Sequence, residues 1–192
     1  PLPLTVDSTT QILWHSEAWE DNNPTLGFTT VVKNDRGLNP DNKYYLYYAH
    51  HDPGSGIGCA IADSITGPYT KISPPDSRVL IASGGSVNEH FSSPSVVWNE
   101  DEQLWFMYFH YYNHYWGGAG DPPGENWSEN NPGLGQQMTA LATTPDLSSH
   151  NWTIWTDPVW SKVSAHNIVP VLPTTDAAWM QSQSSYHGIQ RL

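Results

Sequence analysis

Apolar positions along the chain come in short runs rather than in helical stripes. The runs are rich in aromatic and β-branched residues, as in Tyr44–Tyr48 and Leu104–Phe109, and Gly, Pro, Asn and Asp separate them. Apolar residues seldom recur with the three- and four-residue spacing of a buried helix face. The pattern predicts an all-β fold.

One order of runs occurs twice along the chain. Residues Lys43–His50 align with Gln103–His110 at a shift of sixty residues, and both are aromatic strands that end in histidine. After each come a loop and a strand of small residues, Gly58–Ser64 in the first copy and Met138–Thr144 in the second. An internal repeat of this kind predicts a fold built from similar units.

Each copy also has a preceding and a closing strand. The preceding strands are Phe28–Val32 and Pro94–Trp98, and the closing strands are Tyr69–Ile72 and Trp152–Trp155. Four antiparallel strands form the blade of a β-propeller, in which the second strand is buried on both faces between neighbouring blades. The sequence therefore predicts a propeller with continuously aromatic second strands.

The predicted blades do not complete a propeller. The two units span roughly residues 25–75 and 90–160, and a third begins within residues 176–192 at Ser184–Arg191. A propeller needs about four to eight blades. We therefore expect residues 1–192 to form a partial propeller domain of about two and a half blades, either within a longer polypeptide or closed by association.

Charge and composition reduce the range of binding partners and locations that are expected for the protein. The sequence has 19 acidic and 7 basic residues, and its net charge of −12 repels the phosphates of nucleic acids. No apolar stretch reaches the roughly 18 to 20 residues of a membrane-spanning helix. Two sequons, at Asn126 and Asn151, agree with export, and the single cysteine, Cys59, predicts a buried thiol. We expect a secreted or periplasmic protein that binds neither nucleic acid nor membrane.

Two histidines are the first candidates for chemistry. His90 precedes a predicted inner strand and His110 ends the next strand, so the two can converge at one rim, where imidazoles suit proton transfer near neutral pH. Alternatively, each histidine caps a strand end or hydrogen-bonds a buried carbonyl group. His50 is the counterpart of His110 in the sixty-residue alignment, so it either binds substrate or belongs to the blade architecture.

The C-terminal run and a long loop supply further candidates. His187 and Arg191 share one face of the last predicted strand and Tyr186 the other, because side chains alternate with a period of two. Arg191 can bind a substrate carboxylate through two hydrogen bonds or form an ion pair between blades. The insertion in the second unit carries His114 and Trp116, and long loops on rigid scaffolds often bind ligands.

A hydrolase would normally need a pair of carboxylates that flank the glycosidic bond. No spacing selects such a pair from the acidic candidates, which are Glu17, Asp52, Asp63, Glu89 and Asp176. The sequence also has no compact metal-binding motif, so we expect no metal in the active site and no required cofactor. A structural Ca²⁺ bound by loop oxygens stays open.

Two sets of segments resemble known families. Tyr44–Tyr69 is similar to the blades of sugar-active propellers in general, including five-bladed glycoside hydrolases. The segments Glu89–Ser95 and Ser184–Ile189, together with His110, are more selective. They resemble the seven-bladed propeller lyases that cleave ulvan or rhamnosyl-glucuronate linkages, and relatives of these lyases that hydrolyse terminal rhamnose on glucuronate. The resemblance spans nearly all of the chain and implies seven blades in the complete propeller.

This resemblance implies a β-elimination at a uronic acid. One group neutralises the uronate carboxylate, a histidine or tyrosine removes the proton from C5, and an acid protonates the departing O4. His90 and His110 match the histidine pair of the family, and Arg191 is the available residue to neutralise the carboxylate. Such lyases are expected to supply a catalytic tyrosine between the second histidine and the arginine. Tyr186 stands in that interval, although it faces away from Arg191 on the predicted strand.

Three functions remain open at this point. A lyase needs the histidine pair and an arginine at one rim, whereas a hydrolase needs two facing carboxylates or a single catalytic histidine. A non-catalytic carbohydrate-binding propeller needs aromatic platforms, such as Trp116 and Trp127. The leading hypothesis is a lyase that acts on an acidic polysaccharide.

Overall fold

The described part of the chain, in a computed structural model, comprises residues 11–20, 26–50, 56–73, 76–81, 90–113 and 136–156. Apart from two 3-10 turns, Ala18–Glu20 and Leu147–Ser149, the regular elements of this part are all strands, which confirms the all-β prediction. In chain order the strands are β1 (Gly27–Lys33), β2 (Tyr44–Ala49), β3 (Gly56–Ala62), β4 (Thr70–Lys71), β5 (Arg78–Ile81), β6 (His90–Asn99), β7 (Leu104–Asn113), β8 (Gln136–Thr144) and β9 (Thr153–Ile154).

The nine described strands form two antiparallel sheets. The first has the order β1-β2-β3-β4, with β5 also paired to β3, and the second has the order β6-β7-β8-β9. The four strands expected in each unit are present near their predicted places. Strand β5 is an addition: Ile61 pairs with Thr70 and Ile57 with Leu80, so β4 and β5 together form an interrupted outer edge.

Burial on both faces explains the composition of β2. Tyr45 and Tyr47 pack into a core shared with the second sheet, whereas Leu46 and Tyr48 pack into a separate cluster on the opposite face. All four side chains are at most 2% exposed. A strand without a solvent-facing side has no reason to alternate between apolar and polar residues, so its sequence is a continuous apolar run.

Both sheets carry a β-bulge at the same place in their first strand. The bulge of β1 contains Phe28, with φ of 50°, and the bulge of β6 contains Ser93, with φ of 51°. A positive φ is uncommon outside glycine, so these two residues mark equivalent positions. The pairing residue beside the bulge is Ala49 on β2 and His110 on β7, a shift of sixty-one residues.

The pairing of the outer strands gives the same shift of sixty-one residues between the two sheets. Ala60 of β3 pairs with Leu46 on one side and with β4 on the other, and Ala142 of β8 pairs with Met107 on one side and with β9 on the other. From Leu46 to Met107 is again sixty-one residues.

The sixty-residue alignment is therefore wrong by one residue, and His110 corresponds to Ala49 rather than to His50. The error has a physical cause. The register of a strand is read from alternation between apolar and polar positions, and a strand that is apolar on both faces has no such alternation. Two continuously aromatic runs therefore match almost equally well in neighbouring registers.

The shift of sixty-one residues shows how the two sheets are stacked. Leu46 and Tyr48 face away from the second sheet, whereas their counterparts Met107 and Phe109 face the first sheet. Equivalent faces thus point in one direction, as in a stack of plates, rather than towards each other as in a two-fold sandwich. The buried core between the sheets consists of Tyr45, Tyr47, Ile57, Cys59, Leu80, Phe91, Val96, Trp105, Met107, Phe109, Tyr111, Ala140, Ala142 and Leu147.

The two sheets approach each other most closely at β6. Stacked sheets ordinarily lie about 10 Å apart, whereas Cα atoms of β6 come within 8 Å of β1, β2 and β3. The first strand of the second sheet therefore lies directly against the first sheet, and β1 is its most extensive neighbour there.

At the other end of the strands, the loop between β1 and β2 fastens the sheets together. The amide of Leu38 donates to the carbonyl of Pro145 at 2.9 Å, and Asn39 Nδ2 donates to Asp146 Oδ2 at 2.6 Å. Gly37 has φ of 88°, and a Cβ added to it would stand 2.5 Å from the Pro145 carbonyl oxygen. The close approach of the loop to the second sheet therefore requires glycine at this position.

Residues 11–20 cover the outer face of the first sheet. Leu13 and Trp19 pack against the cluster that contains Leu46 and Tyr48. The Trp19 ring stacks on the Tyr48 ring, with centroids 5.7 Å apart. The N-terminal segment thus buries the second face of β2.

A buried carboxylate, that of Glu20, anchors this segment. Lys71 Nζ donates to it at 2.6 Å and the Tyr48 hydroxyl at 2.9 Å, and the amides of Ser16 and Glu17 donate to its second oxygen. Burial raises the pKa of Glu20, but the Lys71 ammonium and the other donors outweigh that effect. The pKa of Glu20 therefore lies below its ordinary value of 4.5.

Replacing Gly37 with alanine is expected to destabilise the protein. The variant meets both an unfavourable positive φ and a collision with the Pro145 carbonyl, so the free energy of unfolding should fall by about 2 kcal/mol. Gly27→Ala is the matched control, because no atom lies within 4 Å of the added Cβ. Urea unfolding of both variants tests this expectation, and equal midpoints would contradict it.

The Glu20 carboxylate should make stability depend on pH in the acid range. Because folding lowers its pKa, the stabilisation is present above pH 4.5 and is lost as the pH falls through the lower folded-state value. Glu20→Gln should therefore flatten the decline of the unfolding free energy below pH 4.5. Glu102→Gln, on the exposed turn between β6 and β7, is the control and should keep the slope of the unmodified protein. A Glu20→Gln slope equal to that of the control would show that the carboxylate does not contribute in this way.

Candidate functional site

The two histidines selected from the sequence lie on neighbouring strands at one end of the second sheet. His110 of β7 pairs with Ser92 of β6 on one side and with Thr139 of β8 on the other. His90 is the first residue of β6 and pairs with Tyr112. Position 90 is two residues from Ser92 along β6, so it lies on the same face of the sheet as position 110. Positions 90 and 110 are diagonal neighbours across the two strands, and such neighbours are roughly 7 to 8 Å apart.

Ser92, His110 and Thr139 form a row across β6, β7 and β8, here called the His110 row. The alternation of side chains along β7 determines which face of the sheet carries this row. Met107, Phe109 and Tyr111 face the first sheet, so His110 faces away from it. The His110 side chain is 1% exposed. Strand β7 therefore contributes to the hydrophobic core with one face and carries His110 on the other.

Two hydroxyl groups flank the imidazole in this row. Ser92 and Thr139 are directly opposite His110 and are themselves buried, at 0% and 2% exposure. Directly paired residues have Cβ atoms roughly 4.5 to 5.5 Å apart. A hydroxyl group can both donate and accept hydrogen bonds, but the Ser92 hydroxyl is buried without a hydrogen-bond partner in the described structure.

The sequence patterns did not select Ser92 or Thr139. The predicted inner strand begins at Pro94, whereas β6 begins four residues earlier and includes Ser92 before its bulge. Thr139 lies in a run of small residues with no feature of its own. Only the strand pairing brings both beside His110, and the bulge of β6 shifts the register on the Ser92 side.

His50 is placed differently from His110. It follows the end of β2, is fully buried, and stacks on Trp19 with ring centroids 5.5 Å apart. Trp19 belongs to the cluster on the outer face of the first sheet. His50 and His110 thus lie on opposite outer sides of the two-sheet stack, and the stacking of His50 favours the architectural interpretation of this residue.

Two of the carboxylates considered for hydrolysis lie in the described part of the chain. Glu17 belongs to the segment over the outer face of the first sheet, and its amide donates to Glu20. Asp63 follows β3 at the opposite strand end, where its exposed carboxylate lies 3.6 Å from Lys43. These two carboxylates are therefore at separate places and away from the His110 row.

Several predicted site residues lie outside the described residues. For the substrate-binding and catalytic set these are His114, Trp116, Tyr186, His187 and Arg191, and for the other hypotheses they are Asp52, Glu89, Trp127 and Asp176. Their roles stay predictions.

Cys59 is a buried thiol between the two sheets, as the sequence predicts. Its side chain is 0% exposed, and burial raises the pKa of the thiol well above its ordinary range. A protonated, inaccessible thiol is a poor nucleophile. Cys59 therefore has a packing role in the described structure.

Within the ranges that the structure describes, no group of three or more His, Cys, Asp or Glu side chains could hold a metal ion. In the same ranges no helix is long and apolar enough to cross a membrane. A cavity of about 580 Å³ lies between the loop after β3 and His150, with Lys43, Asp63 and Thr70 in its wall. This cavity is at the opposite strand end from His110, so it is separate from the histidine row.

No protein-family model, curated protein or solved structure matches this chain. The assignment of a function therefore depends on the residues and their geometry.

Proposed function

We propose that the two sheets are adjacent blades of a β-propeller. Three features support this: four-stranded antiparallel units, faces that point in one direction, and closest approach through the inner strand β6. In a two-fold sandwich, by contrast, the same face of each unit would point inwards. The bulge at the same place in β1 and β6 is a further element of the repeat.

We propose further that the protein is a secreted polysaccharide lyase that cleaves a glycosidic bond to a uronic acid. The observation that carries this proposal is the register of β6 and β7, which puts positions 90 and 110 on one face at one strand end. Residues at two such positions can serve two atoms of one sugar residue, since one group must accept a proton while another group donates one.

The reaction is a β-elimination. A base takes the proton from C5, next to the carboxylate, and the C5–H electron pair becomes the C4–C5 double bond as the C4–O4 bond breaks. The departing O4 receives a proton from an acid. The products are an unsaturated uronate and a new hydroxyl end, so neither water nor a redox partner is consumed.

Each role has a candidate in this chain. His110 is the candidate base because imidazoles suit proton transfer near neutral pH, and Ser92 and Thr139 occupy the paired positions on either side of it. His90 is then the partner or acid, and Tyr186 is the alternative acid. Arg191 neutralises the carboxylate, which lowers the energy of the carbanion-like transition state.

The substrate in this proposal is an acidic polysaccharide of the ulvan or rhamnosyl-glucuronate type. An acidic protein can bind an acidic polymer when a local cluster of His and Arg reverses the field in the site. No cofactor takes part in the proposed reaction, and a structural Ca²⁺ in a loop is compatible with it.

The proposal is tested by incubating the protein with ulvan, gum arabic and other uronate polymers while following the absorbance of unsaturated uronate. His110→Asn should lower the rate by roughly two to four orders of magnitude, because a proton-transfer group is lost. His150→Asn is the matched control: His150 lies beyond β8 at the opposite end and has φ of 58°, which asparagine tolerates.

The remaining outcomes of this assay contradict the proposal. New reducing ends without the absorbance change would identify a hydrolase, and binding without any bond cleavage would identify a carbohydrate-binding module. Equal rates for His110→Asn and His150→Asn would remove His110 from the mechanism. Thermal unfolding of both variants distinguishes a lost catalytic group from a lost fold.

A further inference from the structure

The cavity of about 580 Å³ at the strand end opposite to His110 has no part in the proposed mechanism. Both sheets contribute to its wall: Lys43 precedes β2, Asp63 follows β3 and Thr70 begins β4 of the first sheet, whereas His150 lies between β8 and β9 of the second. Binding sites for small molecules usually have volumes of roughly 300 to 1,000 Å³ and often lie between packed units. The size and position of this cavity therefore suit a small ligand.

The charged groups of this wall compensate one another. Lys71 lines the cavity, but its ammonium group donates to the buried Glu20 carboxylate at 2.6 Å. Lys43 and Asp63 have opposite charges and lie 3.6 Å apart. Burial lowers the pKa of His150 below its ordinary value of 6.5, against the opposing effect of nearby carboxylates, so its imidazole is uncharged at neutral pH. A wall without net charge favours a neutral ligand over an ion.

The pair of Lys43 and Asp63 determines which polar groups fit the cavity. The 3.6 Å between Lys43 Nζ and Asp63 Oδ1 exceeds the roughly 2.7 to 3.2 Å of an N–H···O hydrogen bond, so the two groups do not satisfy each other. Their side chains are 48% and 90% exposed and are thus accessible to a ligand. One hydroxyl group between them can accept from the ammonium and donate to the carboxylate, whereas a carboxylate ligand only accepts and an ammonium ligand only donates. The pair therefore favours a hydroxyl compound.

The rest of the wall combines apolar surface with further hydroxyl groups. Aliphatic groups come from Ile61, Pro68 and Ile72, and hydroxyl groups come from Thr70 and Ser73. Small-molecule sites typically pair an apolar surface with a few placed polar groups in this way. A sugar ring has both characters, because its C–H groups form an apolar face and its hydroxyl groups lie at the ring edge. Such a ligand can use both parts of the wall.

We propose that this cavity is a binding site for a neutral sugar, with one sugar hydroxyl bound between Lys43 and Asp63 and the C–H face packed against Ile61 and Pro68. The site is non-catalytic and separate from the His110 row. This inference goes beyond the proposed lyase activity and does not rest on it, so either can fail alone. Because the wall comes from both sheets, a bound sugar also links the sheets and stabilises the fold.

The experiment is an NMR titration of the full chain with D-glucose, D-galactose, D-xylose and L-rhamnose. At least one of these neutral sugars should bind with a Kd below about 10 mM. The largest changes in amide chemical shift should occur in the cavity wall, for instance at Thr70 and His150. The same sugar should raise the unfolding temperature, since a ligand that binds only the folded state stabilises it.

Two variants remove the polar pair one group at a time. Asp63→Ala and Lys43→Met should each weaken sugar binding about tenfold, because a hydrogen bond to a charged group is lost. Both positions are exposed, so the fold should be unaffected. Asp101→Ala and Lys33→Met are the matched controls, since these residues are exposed and do not line the cavity. The controls should bind the sugar as the unmodified protein does.

Charged sugars test the requirement for a neutral ligand. D-glucuronate and D-glucosamine should shift the amides of the cavity wall at no lower concentration than the best neutral sugar does. A charged sugar that shifts them at about tenfold lower concentration would contradict the proposal.

Three further results would overturn the sugar site. The first is that none of the four neutral sugars binds with a Kd below about 10 mM. The second is a set of shift changes that lies away from the cavity wall. The third is equal sugar binding by Asp63→Ala, Lys43→Met and their controls.

Discussion

Burial of β2 on both of its faces is the constraint on which the rest of the structure depends. Tyr45 and Tyr47 of β2 contribute to the core between the sheets, and Leu46 and Tyr48 need a second cover on the other side. The N-terminal segment supplies that cover and is held in place by the Glu20 carboxylate. A unit that must be covered on both faces is stable only in a stack, which is why such strands occur in repeated, layered folds.

The sequence was sufficient to predict the four strands that the two sheets have in common. It was not sufficient to predict the residue-by-residue alignment of one sheet with the other. Short aromatic and β-branched runs, separated by turn residues, located the four strands of each unit, because those signals are local. The alignment of His50 with His110 was wrong by one residue, since aromatic runs that are apolar on both faces do not specify a register. The bulges at Phe28 and Ser93 mark the equivalent positions of the two sheets. The sequence around these two residues did not indicate that their φ is positive.

The candidate site shows the same division. His90 and His110 were selected from the sequence because a histidine at a strand end is a visible feature, and the strand pairing brings their positions to one face. Ser92 and Thr139 were not selected, since a small polar residue acquires a role only from the strand it pairs with. The bulge of β6 shifts the register on that side of the row, and no local sequence feature predicts it.

The proposed mechanism requires His90 and His110 to act together on one substrate. The most direct measurement is kcat/KM for uronate elimination by His90→Asn, His110→Asn and the double variant. If the histidines serve one proton-transfer sequence, the double variant should be no slower than the slower single variant, because the reaction is already disabled. The shared mechanism would be contradicted if the double variant lost kcat/KM by the product of the two single losses. It would also be contradicted if His90→Asn kept full activity.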